Sequence, residues 1–304
     1  MVVLLFTMVM ILFGVAFVIV TERKGLGMVQ LRQGPNKVSV KGILQPVADG
    51  VKLFKKEFLF LYFSSKVLYC VGPCISFLCA YSMWVLFPAS LVSHQFELGI
   101  LYFLCVSSFS VYGVFLVGWV CDSRYAFLGA MRAVAQTISY EVVMSIIVFC
   151  PLLFLGSFNL SEINNSGFLG LFLMFEVLLA WIFVMLAETH RTPFDFVEGE
   201  SELVAGYNVE FGGVGFAILA LSEYSNIFFM SFLSGVIFVG FSSLFSFFFI
   251  NELLTVIFMV IFTYFVICIR GVLPRFRYDL LMNTCWILLL PLFLSVYSLF
   301  LCIL

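Results

Sequence analysis

Apolar runs long enough to cross a lipid bilayer recur along the whole chain, and they decide the fold class. A spanning helix needs about 20 mostly apolar residues. Such runs occupy residues 2–21, 68–88, 98–120, 134–156, 168–189 and about 280–303, and residues 212–269 are almost continuously apolar. The sequence therefore predicts an all-α polytopic membrane protein, with residues 1–304 in a single membrane domain.

The composition excludes several other classes of protein. Of the 304 residues, 63% are hydrophobic and only 11% are charged, whereas a soluble domain carries about 25% charged residues. The 15 Lys and Arg residues nearly balance the 17 Asp and Glu residues, so no electrostatic excess supports a nucleic-acid partner. The nine cysteines lie in or beside apolar runs without a CxxC pair, which indicates packing. We expect no metal site and no cofactor held by this chain alone.

The positions of the basic residues set the number of spans. Lys and Arg fall at residues 22–66, 124–132, 191 and 270–277. The other connections, at about 89–97 and 157–167, carry neither. Basic residues mark one side of a membrane. All of them share that side only if the apolar stretch 212–269 contains two helices, at 212–232 and about 251–269. We therefore expect about eight transmembrane helices, with residues 233–250 as a hydrophobic connection or an extension of the sixth helix.

The basic loop, residues 22–66, contains an amphipathic pattern. Within residues 43–61 one helical stripe is apolar, formed by Val47, Val51, Phe54 and Phe58. Its lysines point elsewhere, a pattern typical of a helix lying in the membrane interface. The alternative is a basic loop that only sets topology.

An acidic loop follows the fifth apolar run, at residues 187–211. Pro193 is expected to end the preceding helix. The acids after it alternate with Phe, Val and Leu: Asp195, Glu198, Glu200, Glu202 and Glu210. That alternation indicates that the acids are partly buried and paired with cations, and it argues against a solvated loop. The cations expected on the same side of the membrane are Arg132, Arg191, Arg270, Arg275 and Arg277. Carboxylates held close together must bind cations or retain protons.

Three further glutamates, Glu141, Glu176 and Glu223, fall within the predicted spans. A carboxylate costs roughly 2.5–3.5 kcal/mol or more at the centre of a bilayer. No Lys or Arg is expected inside a span to stabilise these carboxylates, so each glutamate is expected to be protonated part of the time. This property suits a proton relay. The alternative for each residue is a neutral acid that hydrogen-bonds to a neighbouring helix.

Five segments resemble one known family. In chain order they are TERKGLGMVQLRQGPNK from Thr21, LQPVADGVKLF from Leu44, RAVAQTISYEV from Arg132, ETHRTPFDFVEGESE from Glu188 and PRFRYDLLM from Pro274. Together they resemble the subunit 1 family of respiratory NADH:ubiquinone oxidoreductase (complex I), whose usual topology also has eight spans. The five segments cover the chain from residue 21 to residue 282.

The resemblance implies a subunit of an H⁺-translocating NADH:ubiquinone reductase without a redox centre of its own. Such a subunit forms much of the ubiquinone tunnel, with ubiquinone as the substrate, and couples quinone reduction to proton translocation. NADH, FMN and Fe–S clusters belong to partner subunits. The implied partners are the quinone-reducing hydrophilic subunits, small membrane subunits, antiporter-like subunits and the lipid bilayer. The 40 Phe residues favour an organellar gene, hence the mitochondrial inner membrane over a bacterial plasma membrane.

The resemblance also implies roles for individual residues. Those assigned to the quinone tunnel are Arg23, Lys24, Arg132, Arg191, Phe194, Asp195, Arg270, Arg275 and Arg277. Those assigned to proton coupling are Glu141, Glu188, Glu198, Glu200, Glu202, Glu210 and Glu223. Two residues depart from the family pattern. His190 stands where Asn is usual, so it either titrates near neutrality or replaces the hydrogen bond of Asn, and Glu176 matches no family motif.

Two other functions are compatible with the pattern of spans and acids. A stand-alone proton-coupled cation transporter could use intramembrane glutamates. However, the chain has no internal repeat and no paired helices broken by Gly or Pro, which such transporters show. A purely structural assembly subunit would need none of the buried acids.

Overall fold

The computed structural model describes residues 2–57, 65–88, 96–166, 174–196, 206–240 and 248–303. In chain order the helices are α1 (Val2–Val29), α2 (Gln45–Lys55), α3 (Lys66–Ser82), α4 (Gly99–Val120), α5 (Arg124–Leu155), α6 (Leu160–Asn165), α7 (Phe175–Glu188), α8 (Gly213–Val239), α9 (Phe248–Val272), α10 (Tyr278–Asn283) and α11 (Leu290–Ile303). A π-helical turn, Thr284–Leu289, joins α10 to α11. Within the described ranges there is no β-strand, as expected for a chain whose backbone must satisfy its hydrogen bonds internally in lipid.

Seven of the predicted spans are confirmed as helices long and apolar enough to cross a membrane. The predicted span 168–189 is described only from Phe175 onwards, as the 14 residues of α7, since residues 167–173 lie outside the described part. The sixth predicted helix extends to Val239, and residues 241–247 also lie outside. The chain is therefore a multi-pass, all-α membrane protein.

Several helices run further than hydropathy predicted, so their ends differ from the predicted ends. α1 continues past residue 21 to Val29, and α5 begins at Arg124 instead of residue 134. These helical extensions beyond the predicted spans carry basic residues, namely Arg23, Lys24, Arg124, Arg132 and Arg270. Helical backbone continues there because it satisfies its own hydrogen bonds, whatever the charge of the side chains.

The helices pack so that α5 lies at the centre of the site described below. α5 contacts α4, α7 and α11, whereas α8 contacts α3 and α9, and α1 contacts α9. Fully buried aromatic rings fill the core, among them Tyr140 on α5, Trp181 on α7 and Phe229 on α8. This core holds the end of α7 in a defined position.

The predicted amphipathic helix is α2, which is shorter than the expected range 43–61. Val47, Val51 and Phe54 of its apolar stripe are exposed, and Phe58 lies outside the described residues. α2 packs against α1 and α8. Its position in the membrane interface stays a prediction.

Gly118 is where α4 comes close to α5. A Cβ atom added at Gly118 would overlap with the Cβ of Ala130. We expect Gly118→Ala to lower the free energy of unfolding by about 1–3 kcal/mol, measured as a lower melting temperature. Gly50→Ala in α2 is the control, since no atom lies within 4 Å of the added Cβ. Equal melting temperatures of the two variants would contradict this packing.

Candidate functional site

Two buried charges of opposite sign and a partly exposed arginine meet where α1, α7 and α9 come together. Glu22 Oε1 accepts hydrogen bonds from Arg191 Nη1, at 3.1 Å, and from Arg270 Nη1. Glu22 is 5% exposed and Arg191 7% exposed. We call these three residues the Glu22 ion cluster. Its members come from three separate segments, so the cluster joins the ends of those helices.

Arg191 has a second partner in the aromatic ring of Tyr224 on α8. The guanidinium carbon lies 4.6 Å from the ring centroid, a cation–π contact that is strongest when water is excluded. Burial by itself would lower the pKa of Arg191, but Glu22, Tyr224 and Glu223 together outweigh burial and raise that pKa above its ordinary value. Arg191 therefore stays charged although it is buried.

The loop that follows α7 is tied to two other parts of the chain. Gln136 Nε2 on α5 donates hydrogen bonds to the carbonyls of Ala187, at 2.8 Å, and Phe194, at 2.9 Å. Arg275 donates to Asp195 over 3.0 Å, and the backbone N–H of Phe276 donates to the carbonyl of Pro193 over 3.0 Å. One amide side chain thus holds both the end of α7 and the acidic loop.

Phe194 belongs to the core of this region. It is 1% exposed, and its ring centroid lies 5.6–6.0 Å from those of Tyr140, Phe183 and Phe276. The structure therefore places Phe194 among aromatic rings that support the loop.

Glu141 and Glu188 form a second group of acids. Glu141 on α5 lines a groove of about 520 Å³ beside α4, together with Cys105, Ser108 and Tyr112. Glu188 ends α7, and its Oε2 atom has no hydrogen-bond partner among the described residues. The two carboxyl groups interact electrostatically.

Glu223 and Glu210 form a third group beside α8. Tyr207 donates its hydroxyl to Glu223 Oε1, and Asn208 Nδ2 donates to the same atom over 3.5 Å. Glu210 Oε2 accepts the backbone N–H of Asp122 at 2.8 Å. Arg191 of the Glu22 ion cluster interacts electrostatically with Glu223, which links this group to the cluster.

The other residues assigned from the sequence are more scattered. Arg23 forms an exposed ion pair with Asp49 at 2.6 Å, and Lys24 Nζ donates to the carbonyl of Lys41. Arg132 interacts electrostatically with Tyr278, and Arg277 is exposed. The structure thus places none of these four basic residues in the Glu22 ion cluster. Three predicted acids, Glu198, Glu200 and Glu202, lie outside the described residues.

Sequence reasoning missed three residues of the site: Glu22, Gln136 and Tyr224. Glu22 was placed in the basic loop, since the first span was expected to end at residue 21. Gln136 could have been recognised from the sequence. It is an amide at the start of the predicted span 134–156, and a buried polar group needs hydrogen-bond partners. Tyr224 follows Glu223 in an apolar run, and nothing in the pattern pointed to it.

His190 directly precedes Arg191 in the acidic loop and has a φ of 50°. Asn adopts this left-handed region more readily than most residues, which explains why Asn suits the position. Burial lowers the pKa of His190 to about 4; nearby Asp195 opposes this change and Arg191 adds to it. His190 is therefore neutral in the folded protein at pH 7.

We expect the pH dependence of stability to report this neutral histidine. Between pH 6.5 and about pH 4, the unfolded chain binds a proton at His190 and the folded chain does not, so stability falls as the pH falls. His190→Asn removes that contribution while preserving stability at pH 7. Melting temperatures of both proteins measured from pH 7 to pH 4.5 test this. An equally steep decline in the variant would contradict the prediction.

The chain is similar to known proteins over nearly its whole length. The family model described as NADH dehydrogenase matches residues 2–301. The NADH-ubiquinone oxidoreductase chain 1 of Aedes aegypti is 43% identical over 296 residues, covering 96% of this chain and 91% of the relative. The protein of that name from Heterololigo bleekeri is 46% identical, covering 94% and 91%, and that from Pecten maximus 42%, covering 97% and 86%. The chain therefore belongs to the NADH dehydrogenase family, among the proteins called NADH-ubiquinone oxidoreductase chain 1.

Proposed function

We propose that this chain is a membrane subunit of a proton-translocating NADH:ubiquinone oxidoreductase in the mitochondrial inner membrane. It forms much of the tunnel for ubiquinone and couples quinone reduction to proton translocation. It holds no cofactor itself: NADH, FMN and Fe–S clusters reside in the partner subunits, and ubiquinone is the substrate. The hydrophilic quinone-reducing subunits meet its charge-rich side, and small membrane and antiporter-like subunits adjoin it within the bilayer.

One observation carries the coupling part of the proposal: a partly exposed arginine covers each of two buried carboxylates. The side chains of Arg270 and Arg275 are 27% and 35% exposed, whereas those of Glu22 and Asp195, which they bind, are 6% and 3% exposed. Negative charge that develops at the quinone therefore interacts with these arginines before it affects the carboxylates. Interactions in a buried, low-dielectric region are strong, so an arginine that is drawn towards this negative charge weakens its interaction with the carboxylate that it binds.

The route from this cluster into the membrane has two branches. Arg191 interacts with both Glu22 and Glu223, so a shift of Arg191 towards the quinone weakens its hold on Glu223. Glu188 lies two residues before His190 and interacts with Glu141 in the groove between α4 and α5. Repulsion between two close carboxylates favours one shared proton, and the loop next to Glu188 controls which acid holds it. Glu141, Glu188 and Glu223 thereby move protons laterally when the charge at the quinone changes.

Substitution of Glu141 tests this proposal. We expect Glu141→Gln, in sealed membrane vesicles whose assembled complex is verified by native gel electrophoresis, to lower proton pumping and coupled quinone reductase activity several-fold, since an amide cannot exchange a proton near neutral pH. Glu162→Gln on α6 is the control, because Glu162 is an exposed acid on the charge-poor side. Full activity with normal pumping in Glu141→Gln would remove Glu141 from the path. If the unmodified chain migrates on a native gel alone or as a small oligomer, that result would favour the stand-alone transporter.

A further inference from the structure

The outer face of α7 is an apolar stripe that contains one acid. Phe175, Leu179 and Phe183 are 47–58% exposed and follow one another at intervals of four positions, so they share one face of the helix. Glu176 lies on the edge of the same stripe and is also exposed. The opposite face of α7, including Val184, is buried in the core. This stripe is therefore a narrow uncovered surface on an otherwise enclosed helix.

Glu176 lies at a depth where hydrocarbon is expected. It precedes Glu188 by twelve positions on the same helix, which corresponds to about 18 Å at 1.5 Å per residue. The Glu188 end of α7 leads directly to Arg191 in the Glu22 ion cluster, at the charge-rich side. The hydrocarbon layer is about 30 Å thick, so Glu176 lies within it and beyond the reach of lipid headgroups on the charge-rich side.

This chain supplies no Lys or Arg to Glu176. All 15 basic residues belong to segments at the charge-rich ends of the helices, and residues 167–173, which precede α7, are only Gly, Phe and Leu. Among the described residues, no ion pair includes Glu176. A carboxylate facing lipid is strongly unfavourable, so the stripe is complementary to an apolar helix that brings a positive charge.

We propose that the stripe Phe175–Phe183 on α7 docks a membrane-spanning helix of another chain that carries a Lys or Arg opposite Glu176. The inference rests on the proposed function, since it requires assembly with other membrane subunits, and it assigns one surface and the chemistry of one partner. A second copy of this chain does not fit, because its own Lys and Arg residues lie at the charge-rich ends and its α7 would present Glu176 to Glu176.

Photo-cross-linking from the stripe tests the inference. Leu179, replaced during synthesis of the chain by the photoreactive amino acid p-benzoylphenylalanine, is expected to form an adduct with a membrane-spanning peptide of another subunit that contains Lys or Arg when the assembled complex is irradiated. The same replacement at Val184, on the buried face of the same helix, is the control and is expected to give no adduct with another chain. Adding Glu176→Gln to the Leu179 replacement should lower the adduct yield about tenfold or more, because the partner's cation is left unpaired in the membrane. Glu97→Gln, an exposed acid at the start of α4, should leave the yield unchanged.

The outcomes separate this inference from the proposed function. Adducts with lipid only, with a second copy of this chain, or with a helix that lacks Lys and Arg would overturn the docking surface even if the chain migrates in a large complex. An unchanged yield after Glu176→Gln would also overturn it. Migration of the chain outside any large complex would overturn the proposed function, and the docking surface with it.

Discussion

Replacement of Glu22 by Gln is expected to lower the free energy of unfolding by about 3–5 kcal/mol, because removal of one partner leaves buried charge uncompensated. Gln keeps the shape of Glu, but Arg191 and Arg270 both lose the carboxylate that accepts their hydrogen bonds. Arg191 is 7% exposed, so water cannot replace that partner. The melting temperature of the assembled complex should fall, and quinone reductase activity should be lost at temperatures that the unmodified complex tolerates.

The matched control is an ion pair on the surface. Asp49→Asn breaks the pair between Arg23 and Asp49, whose side chains are 50% and 35% exposed. Exposed pairs contribute about 0–1 kcal/mol, so the melting temperature should change little. A double variant with Glu22→Gln and Arg191→Met should recover part of the lost stability, since an apolar side chain does not need a carboxylate. Similar melting temperatures for Glu22→Gln and Asp49→Asn would refute a structural role for the Glu22 ion cluster.

Gln136→Leu is expected to release the loop that follows α7. The variant leaves the buried carbonyls of Ala187 and Phe194 without the Gln136 amide donor, and each unsatisfied group costs about 1–3 kcal/mol. We expect a lower melting temperature and faster hydrogen exchange in residues 189–196. Quinone reductase activity should fall as well, because the same loop carries Arg191 and Asp195 of the proposed coupling route.

The control for this variant is the neighbouring residue on α5. Thr137 is also buried, but its hydroxyl donates only to carbonyls of its own helix, those of Ala133 and Val134. Thr137→Val should therefore leave hydrogen exchange of residues 189–196 unchanged. Faster exchange of that loop in Thr137→Val, or unchanged exchange in Gln136→Leu, would show that Gln136 does not hold the loop.

The sequence by itself determined the membrane class and the family, and it predicts that the basic residues share one side of the membrane. These properties depend on hydropathy along the chain and on local motifs, and both can be seen within windows of about 20 residues. Seven spans and the amphipathic segment containing α2 were predicted in this way, whereas helix ends were wrong by up to ten residues at α5, because charged residues near Arg124 and Arg132 continue the helix.

Only the tertiary structure decided which charges meet. Glu22 is 169 positions from Arg191 and 248 positions from Arg270, and no spacing rule connects residues so far apart. The cluster exists because the core of the bundle brings the ends of α1, α7 and α9 together, and burial then makes each charge depend on its partners. The tertiary structure also distinguishes two glutamates that both fall within predicted spans. Glu141 lines a groove beside α4, whereas Glu176 faces outward on α7.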